Sequence, residues 1–165
     1  MTTYAATRAT ARPSLSPKLL AGGFLAGMVM GMWQMIVEAI LPNGAGFWGP
    51  LIAIGATVLR NLQTFSKPAA FDAFGVFASL MGHMMNSMIF GLIFALLIAP
   101  RTRSLLGQVI AGMVYAVAIF VVMWFVVAPI VDPAMLKLNG GVFFIGHLMW
   151  GAALGLVNHW VVNRA

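Results

Sequence analysis

Four long apolar stretches constrain this chain more than any other feature: residues 19–41, 74–99, 105–128 and 141–162, separated by prolines and basic residues. The hydrocarbon core of a bilayer is crossed by roughly 20 helical residues, each rising about 1.5 Å, and all four stretches are long enough. Only 7% of the residues are charged and 62% are hydrophobic; a soluble domain carries roughly a quarter charged. The predicted fold class is therefore all-α: a polytopic membrane protein with a transmembrane domain over 18–163 and membrane lipid as its main surroundings. Residues 1–17 are polar, free of acids and broken by prolines, and read as a mobile cytoplasmic tail.

Between the first two stretches, residues 47–63 open with Phe47-Trp48 and end near Arg60, which predicts an interfacial helix in the first outer loop. Lys and Arg divide unevenly between the two sides. Arg8, Arg12, Lys18, Arg101, Arg103 and Arg164 fall on one, against Arg60, Lys67 and Lys137 on the other. By the positive-inside rule both termini are expected to be cytoplasmic. The net charge of +6 is spread over segment ends, which fits headgroup contact and argues against a nucleic-acid partner. With no cysteine, disulfides, thiolate zinc sites, iron–sulfur clusters and cysteine nucleophiles are excluded.

The second and fourth spans share a pattern. Gly82-His83 through Ser87 to Gly91-Leu92 is matched by Gly146-His147 through Gly151 to Gly155-Leu156, and Leu25-Ala26-Gly27-Met28-Val29 in the first span by Ile110-Ala111-Gly112-Met113-Val114 in the third. These pairings predict two helical hairpins in tandem. Gly23, Gly27 and Gly31 recur every four residues in the first span, as do Ser87 and Gly91 in the second and Gly151 and Gly155 in the fourth, a spacing that lets helix backbones approach closely. Helix packing is the first explanation of these strips, and it implies a homo-oligomer or a place in a larger membrane complex.

His83, His147 and Gln34 fall at a similar depth, with Asn86 nearby and Glu38 about one turn shallower. Met123 and Trp124 in the third span reach the same level. A polar group in hydrocarbon needs a partner, so this layer is expected to face inward. Imidazoles on two facing helices can ligate a metal or a haem iron; haem b is the first cofactor that fits, and copper the second, with Met84, Met85, Met88 and Met149 as soft ligands. A proton or solute path through His83, Asn86, Ser87 and His147 is a third use of the layer. His159 reads as an anchor at the inner interface. Ser79 and Ser87 are expected to bond backbone carbonyls, and Asp72 and Asp132 to be solvated loop ends. No phosphate-binding loop or hydrolytic triad is visible, so no enzymatic activity is expected.

Gly46-Phe47-Trp48-Gly49-Pro50-Leu51, together with the two Gly-His stretches, resembles the YagU-like family of bacterial four-span inner-membrane proteins. The resemblance implies membrane placement and fold, without a defined activity or site. The reading that follows is a non-catalytic structural or accessory membrane subunit, with haem or metal binding at His83 and His147, or a small transporter, as the alternative.

Overall fold

The computed structural model describes residues 17–162, so the tail expected over 1–17 lies, but for Pro17, outside the described residues, as do Arg8, Arg12 and Arg164. Among the described residues the chain consists of helices joined by loops, with no strand. Helix α1 spans Pro17–Ile40, α2 Gly49–Gly55 and α3 Ala73–Ile93. After α3 comes a wider π turn, Phe94–Ile98. Helix α4 spans Leu105–Val122 and passes through a second π turn, Met123–Val127, into α5, Ala128–Val131; α6 spans Gly140–Val162. Four helical stretches, Leu19–Ile40, Ala73–Arg101, Leu105–Val131 and Gly140–Trp160, are long and apolar enough to cross a membrane. They match the expected spans, with the third carried three residues further.

Helices α3, α4 and α6 each begin where a side chain can accept one of the first free N–H groups. Asp72 Oδ1 accepts from Gly75 N at 2.7 Å, Ser104 Oγ from Gly107 N at 3.1 Å, and Asn139 Oδ1 from Gly141 N at 2.9 Å. Such caps replace intrahelical partners the first turn lacks. Both π turns precede a proline. Pro100 and Pro129 bring no N–H, and the residue before each reaches back five instead of four: Ala99 N to Phe94 O, Ala128 N to Met123 O.

Burial is inverted relative to a soluble protein. Phe24, Met28, Leu106, Val114 and Phe125 are exposed, whereas Gln34, Ser87, Gln108, His147 and Asn158 are buried. Apolar side chains facing outward lose nothing against lipid tails, so close packing of small residues holds such helices together. The glycine strips do this in matched pairs. A Cβ on Gly27 would stand 2.7 Å from Ser87 Oγ, and one on Gly112 would stand 2.1 Å from Gly151 O. Likewise Gly91 lies against Gly23, and Gly155 against Gln108. The α1–α3 and α4–α6 hairpins thus cross at equivalent residues, as the tandem repeat predicts. Gly31 departs from the strip: its nearest neighbour is the His83 ring at an ordinary 3.6 Å.

The two hairpins meet unequally. Helix α6 packs along α1, with Gly146 against Gln34 and Met30. The equivalent seam between α3 and α4 stays apart over much of its length. Across it, Tyr115 Oη donates to Phe90 O at 3.2 Å and the Tyr115 ring lies 5.8 Å from that of Phe94. Gly82, the repeat counterpart of Gly146, has nothing within 4 Å of where its Cβ would be.

The helix expected over 47–63 is shorter and deeper than its sequence implied. Helix α2 is followed by a separate 3-10 turn, Arg60–Thr64, and Pro50, Leu51, Ile52 and Ala53 are buried within the protein. The reason is a backbone contact: Gly55 sits so close to Gly75 that a Cβ would lie 2.5 Å from its carbonyl oxygen, drawing α2 under the start of α3. Phe47 and Trp48 stay at the rim, Trp48 edge-on to Phe71 at 4.9 Å.

Candidate functional site

The open α3–α4 seam and the tight α1–α6 seam leave a cavity of about 190 Å³ inside the bundle, roofed by α2 and by the loop after α5. Its walls are mostly apolar, with Phe90, Ile119, Met123 and Phe143 among them, and its polar groups come from all four long helical stretches or their ends: Gln34, His83, Asn86, Ser87, Asp132 and His147. A space of this size has room for several waters or one small molecule.

Each of the two cavity histidines is held by a carbonyl, which fixes its tautomer, since a carbonyl can only accept. His83 Nε2 donates to Gly27 O at 3.0 Å across the α1–α3 crossing, leaving Nδ1 with a bare lone pair. His147 Nδ1 donates to Phe143 O at 2.9 Å, one turn back on its own helix. Its bare Nε2 therefore points away from α6. The His147 ring is wedged edge-on against Phe143 and Phe120, with centroids 4.5 and 5.6 Å apart. Both rings line the one cavity, and each keeps one nitrogen without a protein hydrogen bond.

Gln34 supplies the third group. It is 2% exposed, its Nε2 has no partner, and its side chain lines the cavity. Gly146 makes the position possible, since a Cβ there would press to 3.2 Å from that nitrogen. Ser87 closes the floor. Its hydroxyl donates to Gly23 O at 2.6 Å and accepts from Trp150 Nε1 at 2.7 Å, so it is fully engaged within the protein.

Several expected roles move. Glu38 does not join the layer: its carboxylate accepts from Ala45 N at 2.7 Å and Asn139 N at 2.6 Å, tying both loops to the end of α1. Asn86 lines the cavity, but at its rim, where it is exposed and forms no hydrogen bond among the described residues. The α3–α4 seam would have to close to bury it. Ser87 bonds a carbonyl as expected, whereas Ser79 Oγ is buried with no partner. Asp72 is the α3 cap. Asp132, expected as a solvated end, is 3% exposed and lines the cavity roof. It accepts from Thr57 Oγ1 at 2.5 Å and Gln63 Nε2 at 2.7 Å, and Gln63 Oε1 accepts from Ala134 N at 3.0 Å. This latch between the two loops was missed because its members lie 69 to 75 residues apart in the chain. The methionines on the cavity wall are Met30, Met123 and Met135, rather than Met84, Met85, Met88 or Met149. Trp124 turns instead to Phe120 and Phe143, at 6.2 and 5.2 Å. Among the described residues no three of His, Cys, Asp or Glu gather as a metal site would require.

The fold and cavity define a four-span helical membrane protein with a largely apolar chamber, carrying a few polar groups, inside its bundle. Comparison with known proteins finds no matching family model, no matching curated protein and no matching solved structure.

Proposed function

We propose that this protein is a non-catalytic membrane protein that binds a small neutral molecule taken from the bilayer, and that it serves as an accessory subunit of a membrane assembly. The observation that carries the reading is that Gln34, His83 and His147 line one chamber, with one nitrogen of each ring free of a protein partner. A protein that served only as packing would gain by filling that space with apolar atoms, because unsatisfied polar groups in a low-dielectric interior are costly. The parted α3–α4 seam supplies a side entrance from lipid, with Gly82 and Asn86 at its edge. On this reading the protein is a multi-pass protein of a bacterial inner membrane with cytoplasmic termini, related to the YagU-like family through its Gly-Phe-Trp-Gly-Pro and Gly-His segments.

The test is solvent extraction and mass spectrometry of protein purified from its native membrane in mild detergent. A neutral non-phospholipid molecule retained by the native chain and absent from Gln34→Leu supports the proposal; identical extracts from both overturn it.

A second reading, haem or copper at His83 and His147, draws on the same two bare nitrogens. An absorption spectrum and metal analysis decide it: a Soret band or bound copper lost in His147→Ala would favour it over a neutral organic ligand.

A further inference from the structure

We infer that the bound molecule is an aromatic diol of the quinol type, reaching the chamber through the α3–α4 seam with its apolar tail left in lipid. The inference rests on the binding reading above and specifies its ligand. His83 Nδ1 and His147 Nε2 can only accept, because the other nitrogen of each ring already donates to a carbonyl. A ligand that satisfies them brings two donors, one toward α3 and one toward α6. The Gln34 amide offers both an N–H and a carbonyl oxygen, so a hydroxyl suits it in either orientation. A hydroxyl can donate to a ring nitrogen and accept from the amide through a single oxygen.

The walls narrow the class further. Phe90, Phe143 and Trp150 give the chamber flat apolar faces suited to a planar ring. Of the chain's three acids, Asp72 caps α3 and Glu38 holds two loop amides, while Asp132 lines the chamber at its roof, where Thr57 and Gln63 donate to it. The reduced diol is selected over its oxidised quinone, which has no O–H to give to either imidazole. Holding the diol involves no electron transfer, and none is assigned to this chain.

The experiment is calorimetric titration of the full-length protein in lipid nanodiscs with a short-tailed benzoquinol kept reduced, its quinone, and its dimethyl ether. The quinol is expected to bind at least about tenfold more tightly than the ether and the quinone, and His147→Phe to weaken it by about tenfold while Phe77→Ala, on an outward side chain 65% exposed, leaves it unchanged. Equal binding of quinol and dimethyl ether overturns the ligand class and leaves the binding reading standing. If none of the three binds and a different neutral molecule co-purifies, the class alone falls; if nothing binds and nothing co-purifies, both fall. The comparison of quinol with ether uses the native chain and stands even where a variant does not fold.

Discussion

Trp150 Nε1 donates to Ser87 Oγ at 2.7 Å, and that hydroxyl donates onward to Gly23 O at 2.6 Å, so one serine joins α6, α3 and α1. Removing it leaves the indole N–H buried without an acceptor. Ser87→Ala is expected to lower stability by about 1–3 kcal/mol, the usual cost of orphaning one buried partner. In a double-mutant cycle, Trp150→Phe should recover part of the loss by deleting the stranded donor. Unfolding in mixed micelles measures both, and an unchanged midpoint for Ser87→Ala would contradict the role given to this hydroxyl.

Two glycines at equivalent kinds of position should answer oppositely to alanine. A Cβ on Gly112 would lie 2.1 Å from the Gly151 carbonyl oxygen, with backbone on both sides, whereas a Cβ on Gly82 meets nothing within 4 Å. Gly112→Ala must push α4 off α6 and is expected to destabilise by about 1–3 kcal/mol, the range for overpacking. Gly82→Ala should be neutral or stabilise by up to about 1 kcal/mol through helix propensity. The same denaturation assay compares them; equal effects would mean that the α3–α4 seam is closed in the bilayer.

Gln34→Leu separates a binding site from a scaffold. The native amide is buried with an unpaired nitrogen, and an apolar side chain of similar size removes that penalty. The ligand-free variant is expected to be more stable by about 1 kcal/mol while losing the retained molecule. Gain of stability with loss of ligand is the trade typical of functional positions. A variant less stable than the native chain when both are ligand-free would show that Gln34 serves packing.

Glu38 makes the strongest claim about the loops. Its two oxygens accept from Ala45 N and Asn139 N, amides 94 residues apart in the chain by their numbers. Charge-assisted bonds of this kind contribute more than neutral ones. Glu38→Ala is expected to cost about 3 kcal/mol and to speed hydrogen exchange at Ala45 and Asn139 together. Faster exchange at only one of them would refute the shared anchor.

What could be read from the sequence follows the range over which each interaction acts. Span length and hydropathy are local, so all four membrane-crossing helices were legible, and the Gly-His repeat exposed the paired hairpins because close crossings demand small residues at fixed spacing. His83 and His147 were placed at one depth by the 1.5 Å rise, and both line the same cavity. Glu38 and Asp132 were misjudged for a single reason: each is buried by loop backbone and side chains distant in the chain, and nothing near Pro42 or Pro133 announces those partners. The broken α3–α4 seam was equally hidden, since the repeat implies two equal seams and only coordinates show that one is parted.

Membrane orientation is testable on a cysteine-free chain, where any single introduced thiol is the sole target of a maleimide. In the sequence Arg8, Arg12, Lys18, Arg101, Arg103 and Arg164 fall on one side and Arg60, Lys67 and Lys137 on the other, so the positive-inside rule puts residue 103 in the cytoplasm and residue 67 outside. Both positions are exposed, and a thiol at either is reachable from its own side. In sealed cells with the membrane accessible from its outer side only, Lys67→Cys should label with an impermeant maleimide, while Arg103→Cys should label only after permeabilisation. The chamber roof, with Asp132 and Thr57, would then face outward and admit water from that side, and the ligand would sit in the outer leaflet. The reverse labelling pattern would place the roof in the cytoplasm and require the lipid-soluble ligand to enter from the inner leaflet.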